Sequence, residues 1–118
     1  MAKVLIVDDA AADRMVLERL VAEAGHSAIS AASAEEAVAK AKIDLPALIF
    51  MDVNMPVTDG FSAARQLASD PRTKDIPVVF VTSKNQKADR VFAQILGARS
   101  FISKPFAPEQ IREHLTKL

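Results

Sequence analysis

Short apolar runs alternate with longer amphipathic stretches along the whole chain. Most of the runs are rich in Val, Ile, Leu and Phe and are apolar at every position, which is typical of parallel strands that are covered on both faces. The run at residues 28–31 is less apolar than the others. The pattern predicts five strands, at residues 3–7, 28–31, 47–51, 78–81 and 99–103.

Each strand is followed by apolar residues at helical spacing. Gly25 and Gly97 directly follow two of these stretches and are expected to end helices, whereas Pro108 suits the first turn of the last one. Ser33 and Glu36 have the spacing of a capping box at a helix start. The pattern predicts five helices, at residues 13–24, 34–41, 61–68, 91–96 with a polar leading turn, and 108–118.

This alternation of strands and helices at short spacing favours an α/β fold, with one parallel sheet and helices on both of its faces. A doubly wound, five-stranded sheet of this size commonly has the strand order 2-1-3-4-5, and its ligands bind at the carboxyl ends of the first and third strands. The length of 118 residues suffices for one such domain, so residues 1–118 are expected to form a single unit.

The amino-acid composition argues against several classes of function. Half of the residues are hydrophobic and a quarter are charged, and the net charge of zero provides no basic field for a nucleic-acid backbone or an anionic membrane. The absence of Cys excludes disulfides, thiolate metal sites and thiol catalysis. Because the apolar runs are too short to span a bilayer and no signal-peptide core follows Met1, we expect a cytoplasmic protein without nucleic-acid binding or membrane insertion.

Polar side chains follow four of the predicted strands at the point where each strand ends. They are Asp8 and Asp9 after the first strand, Asp52 after the third, Thr82 after the fourth and Lys104 after the fifth. Since the carboxyl ends of parallel strands lie at one edge of a sheet, these groups are expected to meet. Three neighbouring carboxylates repel one another unless a cation offsets their charge. An open acidic cluster suits Mg²⁺, which binds one or two carboxylates and shares its other positions with water and phosphate oxygens.

The polar groups at this edge of the sheet indicate phosphoryl chemistry with Asp52 as the nucleophile. A carboxylate can attack phosphorus and form an aspartyl phosphate if the charge that develops on the transferred oxygens is neutralised. Mg²⁺ held by Asp9 and Asp52 would neutralise one side, the Lys104 ammonium group another, and the Thr82 hydroxyl group could bond a third oxygen. Taken one at a time, the acidic residues and Thr82 could instead cap a loop or a helix, and Lys104 could be a solvated surface residue.

A set of short motifs occurs together with these residues. The motifs are Val7-Asp8-Asp9, Met51-Asp52-Val53-Asn54-Met55-Pro56, Asp59-Gly60, Val81-Thr82-Ser83, Gly97-Ala98 and Lys104-Pro105. In this combination they are highly specific, and over its whole length the chain resembles a receiver domain of the bacterial two-component response regulators, of the single-domain kind related to the chemotaxis regulator. A narrower likeness is to stand-alone regulators of chemosensory systems that control type IV pili, and it rests on Arg65-Gln66-Leu67, Thr82-Ser83-Lys84 and Gly97-Ala98-Arg99.

The resemblance implies a stand-alone response regulator of phosphorelay signal transduction. It implies that Asp52 accepts a phosphoryl group from the phosphohistidine of a histidine kinase, that Thr82 and Lys104 contact this group, and that the Lys104-Pro105 peptide is cis. Such a protein is not an enzyme beyond its own phosphorylation and dephosphorylation. The Mg²⁺ ligands that the resemblance implies are Asp8, Asp9, Asp52 and the main-chain carbonyl of Asn54.

Two positions near the expected phosphoryl group and two in the loop after Asp52 distinguish members of the family from one another. The positions of Asn54 and Lys84 tune dephosphorylation in the family. Lys84 could also pair with the phosphate or with Asn54, so the sign of its effect stays open. Val57 and Thr58 stand where relatives often have Gly-Met, a departure that bears on the shape of the loop rather than on the site.

The resemblance also implies a conformational switch. Thr82 moves toward the phosphoryl oxygen, and the aromatic residue at position 101 turns inward. Because this residue is Phe101 where many relatives have Tyr, any step that needs a hydroxyl hydrogen bond is absent and only the packing change remains. A downstream protein is expected to bind the face formed by the fourth helix, the fifth strand and the fifth helix. The candidate residues on that face are Arg90, Gln94, Phe101, Ser103 and Phe106.

Three other functions are alternatives to this switch. A phosphotransfer intermediate or phosphate sink would use the same site without an output partner, and the sequence does not separate it from a switch. A Mg²⁺-dependent phosphohydrolase usually needs a cap over its substrate, for which 118 residues leave no room. A flavin-binding module would need a phosphate-binding loop after the first strand, where residues 8–12 read Asp-Asp-Ala-Ala-Ala. Nothing in the pattern places His26 or His114 near the carboxylates, so both are expected to be structural or exposed.

Overall fold

Five parallel strands form one sheet in the computed structural model, which describes residues 1–118. The strands are β1 (Lys3–Val7), β2 (Ser27–Ala31), β3 (Leu48–Met51), β4 (Val78–Thr82) and β5 (Ser100–Ser103). Their order across the sheet is β2-β1-β3-β4-β5, and every neighbouring pair is parallel. The predicted fold class and strand order are therefore confirmed.

Five helices connect and flank the strands. They are α1 (Ala11–Glu23), α2 (Ala34–Asp44), α3 (Gly60–Ser69), α4 (Lys87–Ile95) and α5 (Pro108–Leu115). The prediction that α5 extends to Leu118 is wrong: Leu115 is 1% exposed and packs in the core, whereas Leu118 is 39% exposed and has too little packing to hold another turn. None of these helices combines the length and the apolar character that crossing a bilayer requires.

Side-chain caps fix where two of the helices begin. The Ser33 hydroxyl oxygen accepts a hydrogen bond from the Glu36 backbone N–H at 3.1 Å, as the capping-box spacing predicts. The Glu36 carboxylate, however, accepts from the backbone N–H of Ala32 at 2.7 Å, one residue before the expected donor. At the start of α3, the Asp59 carboxylate accepts from the Ser62 N–H at 2.9 Å, so Asp59 is the N-cap of this helix.

The sheet separates two layers of the hydrophobic core. In β1, Leu5 and Val7 face a cluster of 18 buried residues that includes residues of α2 and α3, whereas Val4 and Ile6 face a cluster of 12 that includes residues of α1 and α5. All four side chains are at most 1% exposed. Burial on both faces explains why the strands read as continuous apolar runs rather than as alternating ones.

Both histidines have structural positions, as predicted. The His26 ring joins two ends of the fold, since Nδ1 accepts from the Ala2 backbone N–H at 3.0 Å and Nε2 donates to the Leu115 carbonyl oxygen at 3.1 Å. His114 is buried on α5, with its ring edge-on to Phe50 at a centroid distance of 6.3 Å. Burial lowers the pKa of His114 below its usual value, so the neutral imidazole is the form that packs in the core.

The loop between β3 and α3 contains a residue with an unfavourable backbone conformation. Val57 has a φ of +71°, in the left-handed region that β-branched residues disfavour, and its side chain is 100% exposed. No packing of the side chain offsets this cost. Glycine would adopt the same conformation without strain, which gives a physical reason for the Gly that relatives often have in this loop.

We predict that Val57→Gly stabilises the protein. Relief of the left-handed strain outweighs the extra freedom of glycine in the unfolded chain, so the free energy of unfolding should rise by about 0.5–1 kcal/mol. Urea unfolding followed by far-ultraviolet circular dichroism measures the change. Val57→Ala is the matched control, because it keeps a Cβ at positive φ and should gain less; a loss of stability in Val57→Gly would contradict the prediction.

Candidate functional site

The ends of β1 and β3 bring the acidic residues together. The two strands are neighbours, with Val7 opposite Met51, and the backbone N–H of Asp52 still donates to the Val7 carbonyl oxygen at 2.9 Å. The hydrogen bonds between the two strands therefore continue to the backbone of Asp52 itself. Asp8 and Asp52 follow these strands and are both buried, whereas Asp9 is exposed at the rim.

Local turns fix one oxygen of each buried carboxylate. Oδ1 of Asp8 accepts a hydrogen bond from the Ala10 N–H at 2.9 Å, and Oδ1 of Asp52 accepts from the Asn54 N–H at 3.1 Å. These bonds from a backbone N–H two residues further on are Asx turns. In each residue the other oxygen, Oδ2, faces the lysine described below. The backbone thus turns away from the sheet after Asp8 and after Asp52, while both carboxylates remain at the edge of the sheet.

Gly60 allows α3 to approach the backbone of Asp52. A Cβ atom at position 60 would lie 2.1 Å from the Asp52 carbonyl oxygen, which no real side chain tolerates. The Gly60 N–H donates to the Val53 carbonyl oxygen at 2.9 Å and closes this contact. The structure thus requires glycine at position 60 for close packing and not for a positive φ.

Lys104 is the cation of the site. Its Nζ atom donates to Oδ2 of Asp8 at 2.7 Å and to Oδ2 of Asp52 at 2.9 Å. It donates to a third carboxylate as well, that of Asp13 on α1, at 2.9 Å. The backbone N–H of Lys104 donates to the Thr82 carbonyl oxygen at 2.9 Å, which aligns the end of β5 with that of β4. The interpretation of Lys104 as a solvated surface residue is thereby wrong.

Asp13 is the charged residue that the sequence analysis missed. It lies in the first turn of α1, where an acidic residue is ordinary because it favours the positive end of the helix dipole. Asp13 lies on a helix, five residues after Asp8, and the strand pattern does not indicate which way the faces of this helix point. Its side chain could therefore not be assigned to the end of β5. The structure shows that this face looks onto the site.

Burial and neighbouring charges shift the pKa values of Asp8 and Lys104 in opposite directions. Burial raises the pKa of Asp8 above its usual value, and the hydrogen bond from Lys104 opposes that rise. Burial alone would lower the pKa of Lys104, but its hydrogen bonds to Asp13, Asp8 and Asp52 raise it instead. Lys104 is therefore firmly charged, and it is a single ammonium group in contact with three carboxyl groups.

The donor set fits a hard divalent cation. One carboxylate oxygen from each of Asp8, Asp9 and Asp52 can be chosen so that the three lie within 4.8 Å of one another. Carboxylate oxygens are the ligands that Mg²⁺ prefers, and the exposed position of Asp9 leaves room for water and phosphate oxygens. The arrangement is typical of the Mg²⁺ site of receiver-type folds, and the carbonyl group of Asn54 stays a prediction as a further ligand.

Thr82 ends β4, the neighbour of β3 on the side away from β1. It is fully buried, and its hydroxyl oxygen accepts a hydrogen bond from the Lys84 backbone N–H at 3.1 Å. Thr82 does not cap α4, because Gln86 holds the N-cap position. The Lys84 ammonium group pairs with Asp89 at 3.4 Å, so in this state it is bonded neither to Asn54 nor to the carboxylates of the site.

Arg90 and Phe101 interact on the face formed by α4 and β5. The Arg90 guanidinium carbon lies 4.9 Å from the centroid of the Phe101 ring, and its Nη2 donates to the Ser103 hydroxyl oxygen at 2.6 Å. Phe101 is half-buried, and Gln94 is exposed on α4. Phe106 packs against the core layer of α1 and α5. The peptide between Lys104 and Pro105 is cis, as the resemblance implied.

A row of aromatic rings extends from Phe101 into the core. Phe101 lies 6.4 Å from Phe80, Phe80 lies 5.1 Å from Phe61, and Phe61 lies 4.9 Å from Phe92, as measured between ring centroids. Arg65 covers the far end at 5.6 Å from the Phe92 centroid, much as Arg90 covers Phe101. Phe61 directly follows Gly60, and Phe80 lies two residues before Thr82. The row therefore connects the start of α3 with the end of β4, the two elements on either side of the Asp52 backbone.

Comparisons with known proteins agree with this geometry. Residues 4–116 match the family described as response regulator receiver domain. The chain is 38% identical over 111 residues to protein PilH of Pseudomonas aeruginosa, and the match covers 94% of this chain and 92% of that protein. It covers less than half of several longer regulators that it also matches.

Solved structures share the fold over almost the whole chain. The chemotaxis protein CheY4 of Vibrio cholerae superimposes with a TM-score of 0.91 at 32% identity, covering 99% of this chain and 98% of that one. The receiver domain of a Pseudomonas aeruginosa sensor histidine kinase, with a magnesium ion coordinated in its active-site cleft, superimposes with a TM-score of 0.89 at 25% identity, covering 98% of this chain and 95% of that one. With its acidic edge and its phosphoacceptor role in two-component signalling, the chain belongs to the response regulator receiver domain family.

Proposed function

We propose that Asp52 accepts a phosphoryl group from the phosphohistidine of a histidine kinase. The observation that supports this role is the convergence of two further carboxylates, Asp8 and Asp9, and the Lys104 ammonium group on Asp52, which directly follows a central strand. The Asp52 side chain is 8% exposed, so it reaches solvent while the rest of its surface is enclosed. An Asp52 carboxylate oxygen attacks phosphorus, and the nitrogen–phosphorus bond of the donor breaks as the oxygen–phosphorus bond forms.

Lys104 and Thr82 stabilise the charge that develops on the phosphoryl oxygens. Lys104 already lies at hydrogen-bond distance from the attacking carboxylate, so its ammonium group needs only a short movement to reach a transferred oxygen. The Thr82 hydroxyl group accepts a bond from Lys84, which leaves its own proton free to donate. Thr82 supplies its donor from the end of β4, which neighbours β3, and Lys104 supplies its donors from just after β5, the next strand along the sheet.

Asp8, Asp9 and Asp52, with the main-chain carbonyl group of Asn54, would hold Mg²⁺ at this edge. The ion supplies positive charge next to the transferred oxygens and offsets the repulsion between the carboxylates. The excess of negative charge around Lys104 supports this assignment, because one ammonium group cannot neutralise the acidic residues that surround it.

Phosphorylation of Asp52 changes the face formed by α4, β5 and α5, where a downstream protein binds. Thr82 lies opposite Ser103 and Phe80 lies opposite Phe101, so a movement of Thr82 acts directly on β5. Phe101 has no hydroxyl group, and Arg90 holds its ring and Ser103 from the α4 side. Inward movement of Phe101 would end the contact with Arg90 and expose the guanidinium group to a partner, with Gln94 and Phe106 nearby on the same face.

We predict that incubation with Mg²⁺ and acetyl phosphate adds one phosphoryl group to the protein. Intact-mass spectrometry should show a single adduct that is lost in mild base, as expected of an acyl phosphate. Asp52→Asn should abolish the adduct, because the amide is not a nucleophile. Asp75→Asn removes an exposed carboxylate from the loop after α3 and should leave the adduct unchanged. A wild-type protein without any adduct would contradict the proposed function.

We predict that Mg²⁺ stabilises the folded protein. At a concentration of about 100 times the dissociation constant, the free energy of unfolding should rise by about 2.7 kcal/mol, because the ion binds the folded state alone. Thermal unfolding with and without MgCl₂ measures this change. Asp9→Asn should remove most of the Mg²⁺ effect, since Asp9 is exposed and contributes little else to the fold. An equal Mg²⁺ effect in Asp9→Asn would argue against the assigned ligands.

We predict that Arg90→Ala favours the switched state. The cation–π contact is present only while Phe101 is in its observed position, so its loss should tighten binding of beryllofluoride, a phosphoryl mimic, roughly two- to fivefold. Fluorine NMR of protein labelled with 4-fluorophenylalanine, with Phe101 assigned by Phe101→Leu, reports the ring position directly. Arg65→Ala is the matched control, because it removes the contact at the opposite end of the aromatic row. Equal affinities in the two variants would exclude a role of Arg90 in the switch.

A further inference from the structure

Asp13 contacts the phosphorylation site without belonging to its metal-binding group. Its carboxylate accepts a hydrogen bond from Lys104 at 2.9 Å, and its side chain is 48% exposed. The cluster of carboxylates that could hold a cation comprises Asp8, Asp9 and Asp52 and does not include Asp13. Lys104 is therefore the residue through which Asp13 contacts the site.

The hydrogen-bonding capacity of Lys104 is exhausted by its present partners. An ammonium group has three N–H donors, and the side chain bonds to Asp8, Asp13 and Asp52. A phosphoryl oxygen on Asp52 can reach Lys104 only if one of these bonds is given up. The bond to Oδ2 of Asp52 weakens on phosphorylation, because the carboxylate becomes a neutral acyl group and the charge moves to the phosphoryl oxygens.

The two other partners of Lys104 differ in how easily they release it. The side chain of Asp8 is 2% exposed, and a backbone N–H fixes its other oxygen, so it has no solvent to turn toward. Asp13 is half-exposed and has no second partner, so it can exchange Lys104 for water at little cost. Its negative charge also repels a phosphoryl dianion that shares the same ammonium group.

We propose that Asp13 is a positioning residue that occupies Lys104 while Asp52 is unphosphorylated and yields it when the phosphoryl group arrives. This role rests on the proposed function of Asp52. Asp13 thereby stabilises the unphosphorylated arrangement, in which four charged groups are held together, and opposes the phosphorylated one. The charge at position 13 sets how readily the site accepts phosphoryl oxygens, independently of the residues that bind Mg²⁺.

Beryllofluoride binding at saturating Mg²⁺ tests this role without any chemical step. Asp13→Asn keeps an oxygen acceptor for Lys104 but removes the charge, so fluorine NMR titration should show binding roughly three- to tenfold tighter than in the wild type. Asp13→Glu restores the charge and should return the affinity toward the wild-type value. Glu23→Gln removes the same charge from the opposite end of α1, where Glu23 is exposed and forms no ion pair, and should leave the affinity unchanged.

A second measurement follows the Lys104 ammonium group itself. In proton–nitrogen spectra of the lysine side chains, the Lys104 resonance should change between wild type and Asp13→Asn before beryllofluoride is added, and the two spectra should converge once the mimic is bound. Beryllofluoride binding in Asp13→Asn that equals or falls below that in Glu23→Gln would overturn the role of Asp13 while leaving Asp52 as the phosphoacceptor. A wild-type protein that binds no beryllofluoride would overturn both.

Discussion

The ion pairs of Lys104 are the interaction on which the rest of the site depends. Asp8 and Asp52 follow adjacent strands and are both buried, so without a cation between them their charges would force the ends of β1 and β3 apart or require a proton. Burial raises the pKa of Asp8, and the hydrogen bond from Lys104 offsets only part of this rise. The fold thus keeps an unfavourable arrangement of charge at one edge, and it can do so because two well-packed apolar layers lie beneath that edge.

The backbone of the site is as constrained as its charges. Asp52 is held from below by the ladder to Val7 and from the side by α3, which approaches so closely that only glycine fits at position 60. Asx turns at Asp8 and Asp52 leave one oxygen of each carboxylate facing Lys104. In the proposed phosphorylation of Asp52, a carboxylate with so little freedom loses little entropy when it attacks phosphorus.

The sheet and its acidic edge could be predicted because both follow from short-range patterns. A strand buried on both faces is apolar at every position, so its first polar residue marks its carboxyl end and with it the site. Contacts between elements could not be predicted in this way. Asp13 reaches Lys104 from a helix whose rotation the pattern does not fix, and Arg90 covers Phe101 from another. The requirement for Gly60 comes from a close approach of two backbones, which a sequence without coordinates does not reveal.

The aromatic row supplies a physical basis for the proposed communication between Asp52 and the face of α4 and β5. Phe61 adjoins the glycine that touches Asp52, Phe80 shares a strand with Thr82, and Phe101 lies at the surface end of the row. Closely packed rings do not deform continuously, so displacement of one favours a discrete repacking of its neighbours. The Arg90 contact with Phe101 then matters for the balance between packings, because it stabilises only the observed position of this ring. The proposed switch needs no hydroxyl group at position 101, since the packing of Phe101 and its contact with Arg90 differ between the two states.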